Sequence, residues 1–85
     1  MKIQIEPHTL QRAIERGTTE EEIKEVLQSG VNILGKSGRL GKSKVFAFNN
    51  SRIGKYYEEK KVDVYYIIEQ QNIITITVYV FYGKF

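Results

Sequence analysis

Residues 73–82 read Ile-Ile-Thr-Ile-Thr-Val-Tyr-Val-Phe-Tyr. Every side chain in this run is β-branched or aromatic, the types that fit a pleated, half-buried surface. Strict alternation would place Ile74, Ile76, Val78 and Val80 on one face, and Ile73, Thr75, Thr77, Tyr79 and Phe81 on the other. The wholly aliphatic set is expected to face the core, and the set carrying hydroxyls to face water or a ligand.

Working outward from that strand, Gln70 to Asn72 reads as a turn. Lys61 to Glu69 is a second strand, with Val62, Val64, Tyr66 and Ile68 on one face. Ile53 to Tyr57 fits a strand or an irregular connection. Asn49-Asn50-Ser51 carries a turn signal, after a strand over Lys44–Phe48. Gly35 to Ser43 holds three glycines and two serines in nine residues and reads as a mobile loop. Val31 to Leu34 is a short apolar run, and Lys2 to Glu6 a short strand or extended lead-in.

Two helices account for the rest. Pro7 suits a helix start, where its missing N–H costs nothing. Leu10, Ala13 and Ile14 lie at helical spacing and form the expected buried stripe, and Gly17 supplies the stop. Thr18 and Thr19, followed by Glu21 and Glu22, offer two overlapping capping boxes. Ile23, Val26 and Leu27 form the apolar face of the second helix, which ends at Gly30. The expectation is one α+β domain over residues 1–85, with two N-terminal helices packed on a three- to five-stranded antiparallel sheet. Ile14, Ile23, Leu27, Val64, Ile76 and Val78 are expected to be buried together.

Composition narrows the function. With no cysteine there is neither a disulfide nor a thiolate metal site, and one histidine cannot build a structural zinc site. No metal and no cofactor are expected. Met1 to Glu6 lacks the apolar run of a signal peptide, and no stretch approaches the ~20 residues of a membrane span. The expected compartment is the cytoplasm, with no membrane partner. Lys36, Arg39, Lys42, Lys44, Arg52 and Lys55 fall in a segment without acidic residues, while Glu20, Glu21 and Glu22 are consecutive. That asymmetry fits a nucleic-acid-facing side opposite a solvated one. A solvated loop rich in lysine fits it as well.

His8, Arg12 and Arg16 stand at i, i+4 and i+8 of the first helix, near one face. An imidazole moves protons near neutral pH, and guanidinium forks bind phosphate and neutralise transition-state charge. The alternative is a surface row paired with Glu15, Glu20 or Glu69. Thr75, Thr77 and Tyr79 share a face of the last strand, where a tyrosine can donate a proton or stack on a base. An ordinary outer sheet face accounts for the same pattern.

These residues carry a resemblance. His8, Arg12, Arg16-Gly17, Thr19-Glu20-Glu21-Glu22-Ile23 and Ile76-Thr77-Val78-Tyr79 together resemble the bacterial domain-of-unknown-function family 4258 over nearly the whole chain. That family is similar to the BrnT and RelE toxins. The resemblance implies a RelE/barnase-like ribonuclease architecture and metal-independent RNA cleavage by attack of the ribose 2′-hydroxyl. His8 would match the general acid or base, Arg12 and Arg16 the phosphate-binding pair, and Tyr79 or Thr77 the strand-borne partner. An antitoxin would be the protein partner. Three functions therefore stand at this point: such an endoribonuclease, a non-catalytic nucleic-acid-binding module, and a small protein-interaction domain.

Overall fold

The computed structural model describes residues 2–85, and of Lys36 the backbone alone. The elements are β1 (Ile3–Gln4), α1 (Pro7–Arg16), α2 (Glu20–Ser29), β2 (Val31–Leu34), a 3-10 turn (Lys36–Gly38), β3 (Leu40–Arg52), β4 (Lys55–Glu69) and β5 (Asn72–Gly83). They form an α+β fold with one open five-stranded sheet in the order β1-β5-β4-β3-β2. The sheet is mixed rather than purely antiparallel. β1 runs parallel to β5, pairing Ile3 with Ile73 and Gln4 with Ile74. No helix among the described residues is long and apolar enough to cross a membrane.

Both helices form where their caps require. Pro7 opens α1, and Gly17 closes it in the left-handed region at φ 91°, a conformation that favours glycine. Thr19 caps α2 by accepting a hydrogen bond from the Glu22 N–H at 3.1 Å. The acidic first turn, Glu20 to Glu22, suits the positive end of the helix dipole. The helices bury Ala13, Ile23, Val26 and Leu27 against Val62, Val64, Tyr66, Ile73 and Val78.

Ile14 does not join this core; it is 73% exposed. The buried positions of α1 are Thr9 and Ala13, so the helix is rotated away from its most apolar stripe. That rotation turns the flank bearing His8 and Arg16 toward β5, where both find backbone acceptors.

The faces of β5 also depart from simple alternation. Tyr65 pairs with Thr77 and Tyr66 with Thr75, so Ile76 is an extra residue in the β5 ladder. A β-bulge of this kind inverts the inward and outward sets on one side of itself. Beyond it, Val78 faces the helices and Thr77, Tyr79 and Phe81 the open side, as alternation expects. Before it the order is reversed: Ile73 and Thr75 are buried, while Ile74 and Ile76 are only partly so. Thr75 is 1% exposed, and its hydroxyl accepts from the Glu6 N–H at 3.1 Å. On β4, Ile68, expected on the inward face, is exposed.

The glycine-rich segment is strand over its last four residues, Leu40 to Ser43. β2 and β3 pair from Val31↔Ser43 to Leu34↔Leu40, which leaves only residues 35–39 as a connection. Two of its glycines answer to packing. A Cβ on Gly35 or on Gly41 would lie within 2.9 Å of the Tyr65 ring, so both positions clear space for that aromatic. The Asn49-Asn50-Ser51 signal is spent within β3, where pairing slips between Ala47 and Asn50 and Asn49 adopts φ 46°. The reversal comes at Ile53-Gly54, with φ 53° and 77°, and a second one at Gln70-Gln71, with φ 49° and 67°. Two consecutive positive φ values are the geometry of tight hairpins matched to strand twist.

Candidate functional site

Beyond its short pairing with β1, the outer edge of β5 leaves carbonyls without a neighbouring strand. α1 supplies their donors. His8 Nε2 lies 2.6 Å from the Ile76 carbonyl oxygen. A carbonyl only accepts, so this geometry makes Nε2 the protonated nitrogen and leaves Nδ1 an acceptor when the ring is neutral. Arg16 Nη1 donates to the Val78 carbonyl at 2.5 Å, and its guanidinium carbon sits 5.0 Å from the centre of the Tyr79 ring. Arg16 thus reaches from the helix side, past the strand edge, onto an aromatic of the open face. Arg12 does not touch the strand; it pairs with Glu15 at 3.2 Å in solvent.

The open face of the sheet carries a concave pocket of about 390 Å³. Tyr65, Tyr79 and Phe81 provide its aromatic walls, with Leu34 and Arg39 approaching from the β2–β3 end. Tyr65 and Tyr79 meet edge to face at 6.0 Å between ring centres, a favoured aromatic geometry. Thr77 and Asp63 also line it. Asp63 stands on β4, the central strand, and is only 6% exposed. Ser43 Oγ donates to its Oδ1 at 2.5 Å, and Lys61 Nζ lies 3.6 Å from Oδ2. Burial, then the Asp63 charge, then Tyr79, push the Tyr65 hydroxyl above its ordinary pKa of 10.0. It therefore stays protonated and able to donate across the neutral range.

His8, Arg16, Thr77 and Tyr79 are thus gathered along one edge of β5, with Arg12 one turn away in solvent. The basic residues are not gathered. Arg39 borders the pocket. Lys42 Nζ donates to Asn32 at 2.7 Å. Lys44 pairs with Glu25 at 2.6 Å and donates to Ser29 at 3.0 Å, near the C-terminal end of α2, where a cation suits the helix dipole. Arg52 donates to the Glu15 carbonyl at 2.8 Å and lies over the Tyr82 ring, and Lys55 lies over Tyr57. The side chain of Lys36 falls outside the described residues.

Asp63, Ser43 and Lys61 escaped the sequence reading. A signal for two of them was present. Lys61-Val62-Asp63-Val64-Tyr65 alternates, so inward valines place Lys61, Asp63 and Tyr65 together on the opposite face. Ser43 could not be found that way, because its segment reads as loop. Among the described residues, no three histidine or carboxylate side chains come together as a metal site. Compared with known proteins, the chain matches no family model, no curated protein and no solved structure.

Proposed function

We propose that this chain is a metal-independent endoribonuclease of the bacterial toxin type, working at the β5 edge. One observation carries the reading: α1 sets His8 and Arg16 on successive outer carbonyls of β5, Ile76 and Val78, on either side of Thr77, with Arg16 stacked on Tyr79. An imidazole, a guanidinium and a phenol beside an aromatic pocket make a fitting set for a phosphodiester and its base. His8 Nδ1 takes the proton of the ribose 2′-hydroxyl as that oxygen attacks phosphorus. The Tyr79 hydroxyl protonates the departing 5′-oxygen, and a 2′,3′-cyclic phosphate remains. Arg16, with Arg12 behind it, offsets the charge that builds on the phosphoryl oxygens. Thr77, between the two carbonyls, offers a hydroxyl to the same phosphate.

The resemblance to the domain-of-unknown-function family 4258 points the same way, and the helix-then-sheet order is compatible with a RelE/barnase-like architecture. Cytoplasmic location and an antitoxin partner belong to the same proposal. So does a contribution of the basic residues from Lys36 to Lys55 to RNA affinity.

A second reading has its own observation. His8 and Arg16 each commit a donor to a strand carbonyl, which also serves to close an open sheet edge. On that reading the chain binds RNA without cutting it. One experiment separates the two: total RNA in EDTA, with wild type beside His8→Ala. Cleavage by the wild type, reduced ~10²–10⁴-fold in the variant, is expected of a positioned proton-transfer group. Equal cleavage by both proteins removes His8 from the mechanism. RNA binding with no cleavage selects the second reading.

A further inference from the structure

The geometry points to the Asp63 pocket as a binding site for guanine, recognised through the two adjacent donors on its Watson–Crick edge. This inference rests on RNA being the ligand of the chain and names the base that the open face selects.

A carboxylate in its ionised form only accepts hydrogen bonds, at about four lone-pair positions. Ser43 occupies one on Oδ1, and Lys61 stands at the edge of reach of Oδ2. Acceptor capacity therefore remains on a group that is more than nine-tenths buried and lines a pocket. A ligand seated there must present donors. Guanine presents N1–H and N2–H₂ side by side, matched to the two oxygens of one carboxylate. Adenine and cytosine each set an acceptor beside their amino group. Uracil flanks its single N–H with two carbonyls, which a carboxylate repels.

The surroundings select a base over other donors. Tyr65, Tyr79 and Phe81 offer ring faces and edges to a flat heterocycle. Gly35 and Gly41 seat Tyr65 by leaving room beside its ring, so this wall is positioned by backbone. A volume of about 390 Å³ lies within the range of small-ligand sites. A cationic guest is disfavoured, because the neighbourhood is already basic. Arg39 borders the pocket, Arg16 stacks on Tyr79, and Lys61 lies 5.0 Å from the Phe81 ring centre. The same cations suit the phosphate attached to the base.

The test is calorimetric titration of the full chain with 5′-GMP, IMP, AMP, CMP and UMP. We expect GMP to bind about tenfold or more tighter than AMP, CMP and UMP, the discrimination typical of a bidentate base contact. IMP, which lacks the 2-amino group, should fall between. Asp63→Asn should abolish the preference, with folding checked by its amide spectrum. The wild-type nucleotide series decides the matter by itself if that variant does not fold. Equal affinities for all five, no binding of any, or binding of N-acetyl-arginine amide in place of GMP overturns the assignment. A trinucleotide with one central guanine separates the sources. Tighter binding than GMP places the base within RNA, and binding of GMP alone assigns the pocket to the free nucleotide. His8→Ala should keep the GMP preference. A chain that prefers GMP but never cleaves RNA therefore retains the pocket while losing the nuclease.

Discussion

The two faces of the sheet are built from the same strands and differ in almost every physical respect. The covered face presents Val62, Val64, Tyr66 and Val78 to the helices, where all four are buried. A buried cation there, Lys60, is 7% exposed and is held by two acceptors: Nζ donates to the Gly17 carbonyl at 2.9 Å and to Glu22 at 2.7 Å. The open face, one residue out of phase, presents Asp63, Tyr65, Thr77 and Tyr79 around a pocket. Its buried charge, Asp63, keeps acceptor capacity unspent. Buried polar groups are ordinarily satisfied. Function is therefore sought on the face whose buried charge is held in place, lines a pocket and still has acceptor positions to offer.

Truncation should separate the two faces most visibly. Ile23→Ala on the covered side removes a fully buried side chain and should cost about 2–5 kcal/mol in unfolding free energy. Tyr79→Ala, on the open side where Tyr79 is exposed, should cost under ~1 kcal/mol. Urea denaturation of both variants measures the contrast. Similar losses for the two would mean that the open face is also structural.

How much of this was legible in the sequence follows from what alternation can and cannot encode. Helix limits at Pro7, Gly17, Thr19 and Gly30 were readable, because caps and stops act over one turn. The inward valines of β4 and Val78 of β5 were readable from period-two patterning. The bulge at Ile76 was not. Ile-Thr-Ile-Thr fits either register equally well, and only pairing with Tyr65 and Tyr66 on β4 decides it. The rotation of α1 was hidden for a related reason. Leu10 and Ile14 outweigh Thr9 and Ala13 in apolarity, but β5 accepts the smaller pair and the donors of His8 and Arg16 beside it. At the site, His8, Arg16, Thr77 and Tyr79 were legible as residue types on shared faces. That a pocket lies beside them was not, because it depends on Gly35 and Gly41 seating Tyr65.

Alkaline titration should distinguish the two faces by a smaller effect. Tyr65 on the open face and Tyr82 on the covered side both titrate above the ordinary value of 10.0, and burial is the main cause in each. For Tyr65, the Asp63 charge and then Tyr79 reinforce the shift. For Tyr82, Arg52 opposes it and Glu22 adds to it. A raised value in the folded state means that the folded chain holds its proton longer than the unfolded chain. The associated stability is present in full below about pH 10 and is lost as pH rises through the folded value. Unfolding followed across that range should show a decline that is shallower in Tyr65→Phe and in Tyr82→Phe. Tyr82→Phe should also lower stability at neutral pH, because its hydroxyl donates to the Arg16 carbonyl at 2.6 Å. Tyr65→Phe should not, since its hydroxyl has no hydrogen-bond partner among the described residues. Identical alkaline profiles for wild type and both variants would refute the assignment.

The smallest effect probes the one place where the covered face breaks its own rule. Thr9 is fully buried between α1 and the sheet, yet its Oγ1 has no hydrogen-bond partner among the described residues. A buried hydroxyl left unpaired forfeits its hydration without recompense, whereas an apolar group of the same shape does not. Valine matches threonine in shape and has a similar helix propensity. Thr9→Val should therefore raise stability by about 1 kcal/mol, read as a shift of the urea midpoint at unchanged slope. The same exchange at Thr75 should do the reverse, because that hydroxyl accepts from the Glu6 N–H where β1 leads into α1. Two buried threonines on one face, one idle and one engaged, should thus move stability in opposite directions. A loss at Thr9 equal to the loss at Thr75 would show that its hydroxyl is engaged too, and that the covered face holds no idle polar group.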